Sequence, residues 1–279
     1  VSAVTIHIGF SFLTGGIVLE KLFNIDMYTG IVVVAALTGL YTIIGGLMAV
    51  VVTEAIQTVV LVLGAAVITY FAWDKMGGWE PMVEVLREKG EMAKLSMLRP
   101  HGDADGLPWY AVFLGYPVLG IWYWCADQTI VQRVLGAKDE QHARVGPLFA
   151  GLIKVLPVFI FVLPGLMAYT LVANGGLDIS SLASVNEAGE TEIDSKGIYG
   201  VMITQLLPQG LVGLMVAALL AALMSTVAGA LNSISTLFSY DLYKRFRPDT
   251  SDRELVFVGR LTAGVALVAA IGLVPLLDG

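Results

Sequence analysis

The chain has 279 residues, of which 57% are hydrophobic and 14% charged, and its mean hydropathy is +0.80. A soluble domain carries roughly 45–50% apolar and about 25% charged residues, so this composition excludes an ordinary soluble domain and predicts a polytopic membrane protein. The net charge of -7 does not indicate a nucleic-acid-binding surface, because the acidic residues gather in a few hydrophilic stretches.

Seven segments approach or exceed the roughly 20 apolar residues that span a bilayer as a helix. They lie near Val1–Val18, Thr29–Val52, Glu54–Trp73, Leu107–Gln132, Val145–Val172, Gly210–Tyr240 and Glu254–Leu277. The pattern predicts an all-α fold of about seven transmembrane helices in a single domain over 1–279, with polar extramembrane stretches near 74–106 and 174–197. Gly45 and Gly46 fall inside a predicted span, where neighbouring helices can satisfy backbone groups that they free.

Basic residues in short loops predict the orientation of the spans. One short loop contains Arg133, Lys138 and Arg144, and another contains Lys244, Arg245, Arg247 and Arg253. With seven spans both loops fall on the same side of the membrane, which we assign to the cytoplasm. The two polar stretches then face outwards.

The adjacent hydroxyls of Ser225 and Thr226 lie in the middle of an otherwise apolar helix, where polar groups are costly. In one interpretation each hydroxyl bonds back to the carbonyl one turn earlier. In the other, the hydroxyls and the carbonyl of Ala222 are ligands of a hard cation such as sodium. Spacing alone does not decide between the two.

The sequence offers little support for an enzyme. His7, His101 and His142 are far apart and lack metal-ligand spacing. No phosphate-binding glycine loop, nucleophile elbow or catalytic triad is recognisable. We therefore expect no catalytic residues and no organic cofactor.

Four stretches resemble, in the same order, the sodium:solute symporter family. They are "LYTIIGGLMAVVVTEAIQ", "WYWCADQTIVQRVLGAK", "LIKVLPVFIFVLPGLMAY" and "GLMVAALLAALMSTVAGALNSISTLFSYDLYKRF", and the second is typical of the sugar-transporting branch. The resemblance implies an inverted-repeat fold like that of the leucine transporter. It also implies that the chain is the middle part of a longer protein, without its first and its C-terminal helices, and that it does not transport alone.

The resemblance also implies a sodium site. Ala222 matches the family's carbonyl ligand, and Ser225 and Thr226 match its two hydroxyl ligands. A second sodium site of some members uses further hydroxyls and an acid, but the matching positions here are Ala228, Gly229 and Glu54. We therefore expect one sodium ion per solute, with Glu54 in a gating or structural role.

For the solute, the resemblance implies a sugar site at Tyr123, Trp124 and Lys154. Tyr123 matches an aromatic ring that stacks on the sugar, and Lys154 matches a donor to a sugar hydroxyl. Gly120 stands where sugar transporters often have a side chain that contacts the substrate. Two alternatives remain open: an interfacial aromatic belt for the two rings, and snorkelling to the interface for the lysine.

Three further polar residues match the family without matching a ligand, and a fourth, Arg260, is expected to act as they do. Asp127, Gln128 and Arg133 follow the sugar-site aromatics, and Arg260 lies in "VGRLTAG". We expect all four to act in gating or structure.

The implied function is sodium-coupled uptake of a glucose- or galactose-like monosaccharide by alternating access in the plasma membrane. Its partners are sodium, a sugar-like solute, the lipid bilayer and the missing helices, with no nucleic acid. Three alternatives are a symporter for another solute (inositol, an amino acid or a carboxylate), a non-transporting sugar sensor, and an intramembrane enzyme.

Overall fold

The computed structural model describes residues 1–23, 25–96, 98–102, 106–185 and 191–278. The helices are α1 (Ser2–Phe23), α2 (Met27–Met76), α3 (Trp79–Glu88), α4 (Trp109–Cys125), α5 (Gln128–Leu135), α6 (Glu140–Ile153), α7 (Leu163–Ala173), α8 (Ile198–Leu206), α9 (Gln209–Thr236), α10 (Lys244–Phe246) and α11 (Asp252–Asp278). Two π-helical segments, Val158–Val162 and Leu237–Tyr243, precede α7 and follow α9. The predicted all-α class is confirmed.

Two short strands were not predicted. β1 (Ala183–Val185) and β2 (Thr191–Ile193) pair antiparallel within the predicted polar stretch 174–197. Residues 186–190 of that stretch, and residues 97 and 103–105 of the other, lie outside the described residues. Three-residue strands carry too little alternation to be recognised from sequence.

Five segments of the described chain are long and apolar enough to cross a membrane. They are Ser2–Glu20, Met27–Met76, Glu140–Ala173, Gln209–Phe246 and Asp252–Leu277. The 50-residue segment Met27–Met76 contains two of the predicted spans. A straight helix of that length would measure about 75 Å, far more than the roughly 30 Å of a bilayer core, so the segment is long enough for two crossings.

The predicted boundary between these two spans, at Val52–Glu54, was wrong. The α2 helix instead kinks at Gly46, whose φ of 61° and ψ of -160° are not helical. Tyr41, before the kink, lies beside Thr53 and Gln57, after it, whereas residues 41 and 57 of a straight helix would be about 24 Å apart. A positive φ is accessible to glycine without a steric penalty. The chain therefore turns at Gly46 rather than at Thr53 and Glu54.

The predicted span Leu107–Gln132 also ends earlier than expected. The helix α4 has 17 residues and stops at Cys125. Asp127 then starts α5, since its Oδ1 accepts hydrogen bonds from the Thr129 N–H at 2.8 Å and from the Thr129 hydroxyl at 2.6 Å. Such an N-terminal cap stabilises a new helix, a local effect that a hydropathy window does not detect.

The chain divides into two compact units, comprising residues 1–65, 135–142 and 207–279 (unit 1) and residues 66–134 and 143–206 (unit 2). In unit 1, α1, α9, α11 and the first part of α2 share one apolar core. Its buried members include Ile8, Phe12, Ile31, Val34, Leu231, Ile234, Ala263 and Ala270. Small residues allow close packing: a Cβ atom at Gly15 would lie 2.1 Å from Leu223 Cδ2.

In unit 2, the amphipathic helix α3 buries Met82, Val85 and Leu86 and packs against α7. The segment that follows α3 contacts α7 through two cation–π interactions. Lys89 and Lys94 place their Nζ atoms 4.9 and 4.4 Å from the centroid of the Tyr169 ring. The first predicted polar stretch is therefore folded onto α7 over much of its described length.

Candidate functional site

The two hydroxyls in the middle of α9 have different partners. Thr226 Oγ1 donates to the carbonyl of Ala222, one turn earlier, at 3.0 Å. Ser225 Oγ donates instead to Oε1 of Glu54, on α2, at 3.1 Å. The structure therefore shows the local back-bond for Thr226 and a contact between helices for Ser225.

The pair of oxygens at Ala222 and Thr226 borders a cavity in unit 1. This cavity, of about 410 Å³, lies between α1 and α9, and most of its lining is apolar. Thr226 is exposed, so its hydroxyl oxygen is accessible from the cavity side of the helix. A carbonyl and a hydroxyl oxygen 3.0 Å apart are suitable neighbouring ligands for one hard cation.

The opposite wall of this cavity contributes three polar residues of α1, which are His7, Ser11 and Thr14. The hydroxyls of Ser11 and Thr14 donate to the carbonyls of His7 and Phe10, each at 2.9 Å. These hydroxyls are therefore satisfied within α1. Sequence reasoning missed this wall, since no spacing rule relates α1 to a helix 200 positions further along the chain.

Glu54, at which a predicted span begins, is not the first residue of a helix in the structure. It lies inside α2, eight positions after the Gly46 kink, and is half-buried. Tyr41 joins the same region, because its hydroxyl donates to the carbonyl of Met224 at 3.3 Å. Polar groups of α2 thus meet α9 at Met224 and at Ser225, and Ser225 is itself one of the three candidate cation ligands.

Unit 2 brings together the three residues predicted to bind the solute. Lys154 Nζ lies 3.8 Å from the centroid of the Tyr123 ring and 5.2 Å from that of Trp124. The two rings are edge to face, with centroids 5.5 Å apart and an interplanar angle of 84°. Lys154 thus has a specific partner, which neither an interfacial belt nor simple snorkelling requires, and such a cation–π contact is favourable.

Gly120 lies one turn before Trp124 on α4. A Cβ atom there would have no atom within 4 Å among the described residues. The backbone at this position is therefore not constrained to glycine by packing within the described chain, and open space remains beside the aromatic pair.

The other residues predicted to act in gating or structure lie at helix ends or contact the backbone of another helix. Asp127 caps α5, as described above, and Gln128 and Arg133 begin and nearly end that eight-residue helix. Arg260, on α11, donates from Nη2 to the carbonyl of Ile44 at 3.1 Å. This contact satisfies a carbonyl beside the Gly46 kink, as expected where a glycine frees backbone groups inside the membrane.

The sequence model of the sodium:solute symporter family matches residues 1–278. The chain is 38% identical over 270 residues to the sodium/mannose cotransporter of Bos taurus, covering 91% of this chain and 45% of the relative. It is 36% identical to sodium/myo-inositol cotransporter 2 of Mus musculus (95% and 41%) and 33% identical to sodium/glucose cotransporter 1 of Sus scrofa (95% and 43%). These relatives are named as cotransporters, not enzymes.

A solved structure of a Na⁺-coupled sialic acid symporter, in a substrate-bound outward-open state, has the same fold. The TM-score is 0.81 at 24% identity, and the match covers 99% of this chain and 56% of that one. The predicted symporter fold is thereby confirmed. The chain spans less than half the length of the three curated relatives. Its apolar helices are those of a multi-pass integral membrane protein.

Proposed function

Because the chain belongs to the sodium:solute symporter family, we propose that it forms the central part of a sodium-coupled monosaccharide symporter of the plasma membrane. The observation that carries this proposal is the oxygen pair of Ala222 and Thr226 on the wall of the α1/α9 cavity. The two oxygens that would coordinate the ion are hydrogen-bonded to each other in the structure.

The Thr226 hydroxyl can exchange its partner at little cost. It now donates to the Ala222 carbonyl, and in a cation site both oxygens would point their lone pairs at the ion. Ser225, one position earlier, would add a third oxygen when its bond to Glu54 is released. Glu54 supplies a negative charge close to this set, which favours a cation over a neutral ligand.

The solute site rests on the Tyr123, Trp124 and Lys154 cluster. An aromatic face suits the apolar C–H face of a sugar ring, and the ammonium group is a hydrogen-bond donor for hydroxyls. In this structure the ammonium lies against the Tyr123 ring. A sugar that stacks on the ring would displace the ammonium from the ring face and accept a hydrogen bond from it.

Sodium binding and sugar binding are coupled if both ligands favour the same conformations of the transporter. Alternating access then releases both ligands on the inner side. The membrane potential contributes about 2.3 kcal/mol per elementary charge per 100 mV. We propose one sodium ion per sugar, because Ala228 and Gly229, one turn after Ser225, supply no side-chain oxygen.

A second candidate is a symporter for another small solute, of which myo-inositol is the first to test. One observation favours it: a relative 36% identical is named as a myo-inositol cotransporter. Both candidates use the same sodium site and differ in the ring that stacks on Tyr123.

The experiment is uptake by the full-length protein in liposomes, with and without an inward sodium gradient. Labelled glucose, galactose, mannose and myo-inositol would be compared for wild type, for Ser225→Ala/Thr226→Ala and for the control Thr262→Ala. Thr262 also bonds back to a carbonyl, that of Val258 at 2.8 Å, but lies on α11.

Sodium-driven sugar uptake that only the double variant abolishes would support the proposal. Uptake of myo-inositol alone would favour the second candidate. Solute-evoked current without uptake would indicate a sensor, and uptake insensitive to the double variant would refute the sodium site.

A further inference from the structure

A second cavity in unit 1 lies beside the kink of α2. It has a volume of about 230 Å³ and is bordered by the kink, the C-terminal part of α9 with its π-helical extension, and the first half of α11, and its lining residues Ile44, Tyr240 and Arg260 are exposed. No residue lines both this cavity and the α1/α9 cavity described above. It therefore needs a separate explanation.

The kink brings a positive charge to this cavity. The non-helical backbone of Gly46 interrupts the helical hydrogen bonds across it, so carbonyls of the preceding turn need other donors. Arg260 supplies one of them, to the Ile44 carbonyl at 3.1 Å. This bond uses one N–H of the five that a guanidinium carries, and because Arg260 is exposed the others can donate to a ligand.

No carboxylate balances this charge within the described chain. The described residues that line the cavity include no Asp or Glu, and the Arg260 guanidinium donates to a neutral carbonyl. Glu254 precedes a lining residue, but its carboxylate accepts a hydrogen bond from the Tyr243 hydroxyl and lies 3.8 Å from Arg247 Nη1. Its charge is therefore already engaged outside the cavity.

Neutral hydrogen-bond donors accompany the guanidinium. Thr42 lines the cavity and is 4% exposed; its Oγ1 makes no hydrogen bond of good geometry among the described residues, and the Tyr41 hydroxyl lies near it. Asn232 and Ser235 line the same cavity. The hydroxyls of Thr236 and Ser239, by contrast, donate to the carbonyls of Asn232 and Ser235 at 3.0 and 2.7 Å.

From this arrangement we propose that the cavity beside Gly46 binds a small monovalent anion, with chloride as the physiological ligand. A guanidinium repels a cation, so the cavity is unsuited to sodium. One cationic group matches one negative charge, whereas a dianion would leave a negative charge unbalanced at the site. The Arg260 guanidinium, the Asn232 amide and the hydroxyls of Thr42 and Ser235 are the donors.

The site has a structural consequence for unit 1. Its donors come from α2, α9 and α11, so a bound anion holds the α2 kink against the two helices that pack beside it. Anything that binds only the folded state stabilises that state in a concentration-dependent way. Chloride is therefore a ligand of the fold, whatever solute the protein transports.

The test is thermal unfolding of the purified full-length protein at constant sodium concentration and ionic strength, with chloride replacing gluconate stepwise. We expect a saturable rise of roughly 2–4 °C in unfolding temperature. Arg260→Gln should abolish the rise. Thr42→Val keeps the shape of the side chain and leaves the hydrogen bond between Arg260 and the Ile44 carbonyl in place. It should raise the half-saturating chloride concentration several-fold. Arg253→Gln, which removes an exposed charge outside the cavity, should leave the rise unchanged.

An unfolding temperature that does not depend on chloride in wild type would overturn the proposal, as would a rise that survives both Arg260→Gln and Thr42→Val. Stabilisation by added phosphatidylglycerol but not by chloride would overturn it in favour of a lipid headgroup. If Arg260→Gln does not fold, the Thr42→Val arm decides. None of these readouts depends on transport, so failure of the proposed function would leave the result intact.

Discussion

The Ser225 hydroxyl donates a hydrogen bond to Oε1 of Glu54 across 3.1 Å, although the two residues are 171 positions apart in the sequence. This hydrogen bond joins α9 to the part of α2 that follows the kink at Gly46. Because Ser225 is one of the three proposed sodium ligands, this bond connects the proposed sodium site to the conformation of α2.

We expect Ser225→Ala to lower the free energy of unfolding by about 1–2 kcal/mol, because the half-buried carboxylate loses a hydrogen-bond donor. A double-mutant cycle with Glu54→Ala, measured by reversible unfolding in mixed micelles, isolates the pair. We expect a coupling energy of about 1 kcal/mol. Additive effects of the two substitutions would show that the bond contributes nothing to stability.

Thr226→Val should raise the sodium concentration for half-maximal uptake about tenfold, equivalent to about 1.4 kcal/mol, because valine keeps the shape and removes the oxygen. Thr226→Ser should restore near wild-type sodium dependence. Thr262→Val on α11 is the matched control, since it removes a hydroxyl that is bonded back in the same way. An equal effect of the two valine variants would assign the loss to helix packing.

Tyr123→Leu should raise the KM for sugar at least several-fold, because it removes the ring face on which Lys154 lies and on which we propose that the sugar stacks. Tyr123→Phe keeps the ring and should change KM far less. Solute titrations at saturating sodium, followed by sodium titrations at saturating solute, separate the two sites. A change confined to the sodium titration would contradict the assignment of Tyr123 to the solute.

Gly46→Ala should destabilise the protein by about 1–2 kcal/mol, because alanine at a φ of 61° brings its Cβ too close to the following carbonyl oxygen. Gly272→Ala provides the control. It lies within α11, and its Cβ would meet no atom within 4 Å in the described chain, so it should be neutral or slightly stabilising. Equal stability of the two variants would indicate that the backbone conformation at position 46 tolerates a Cβ atom.

The pKa of the Asp139 carboxyl is lowered from its usual 3.8, first by the backbone N–H of His142 and then by the His142 side chain. A lowered folded-state pKa means that its stabilisation is present above the unfolded pKa and is lost as the pH falls through the folded one. The difference in unfolding temperature between wild type and Asp139→Asn should therefore shrink below about pH 4. A difference that is constant from pH 6 to pH 3 would contradict this.

Much of the site could be predicted from single stretches of sequence. The hydroxyl pair of α9 is conspicuous because polar groups are rare in an apolar helix, and the cluster of Tyr123, Trp124 and Lys154 was predicted from the family resemblance. The contacts of Glu54 and Arg260 could not be predicted. Their partners, Ser225 and Ile44, lie 171 and 216 positions away, and no local pattern encodes such distances.

The sequence by itself determined that the chain is helical, spans a membrane and carries two adjacent hydroxyls in α9, because hydropathy and helix length are local properties that add along the chain. Only the tertiary structure decided where α2 turns, which carboxylate Ser225 meets and which carbonyl Arg260 satisfies. These depend on how separate helices pack, and a turn at Gly46 rather than at Val52 changes every contact that follows it.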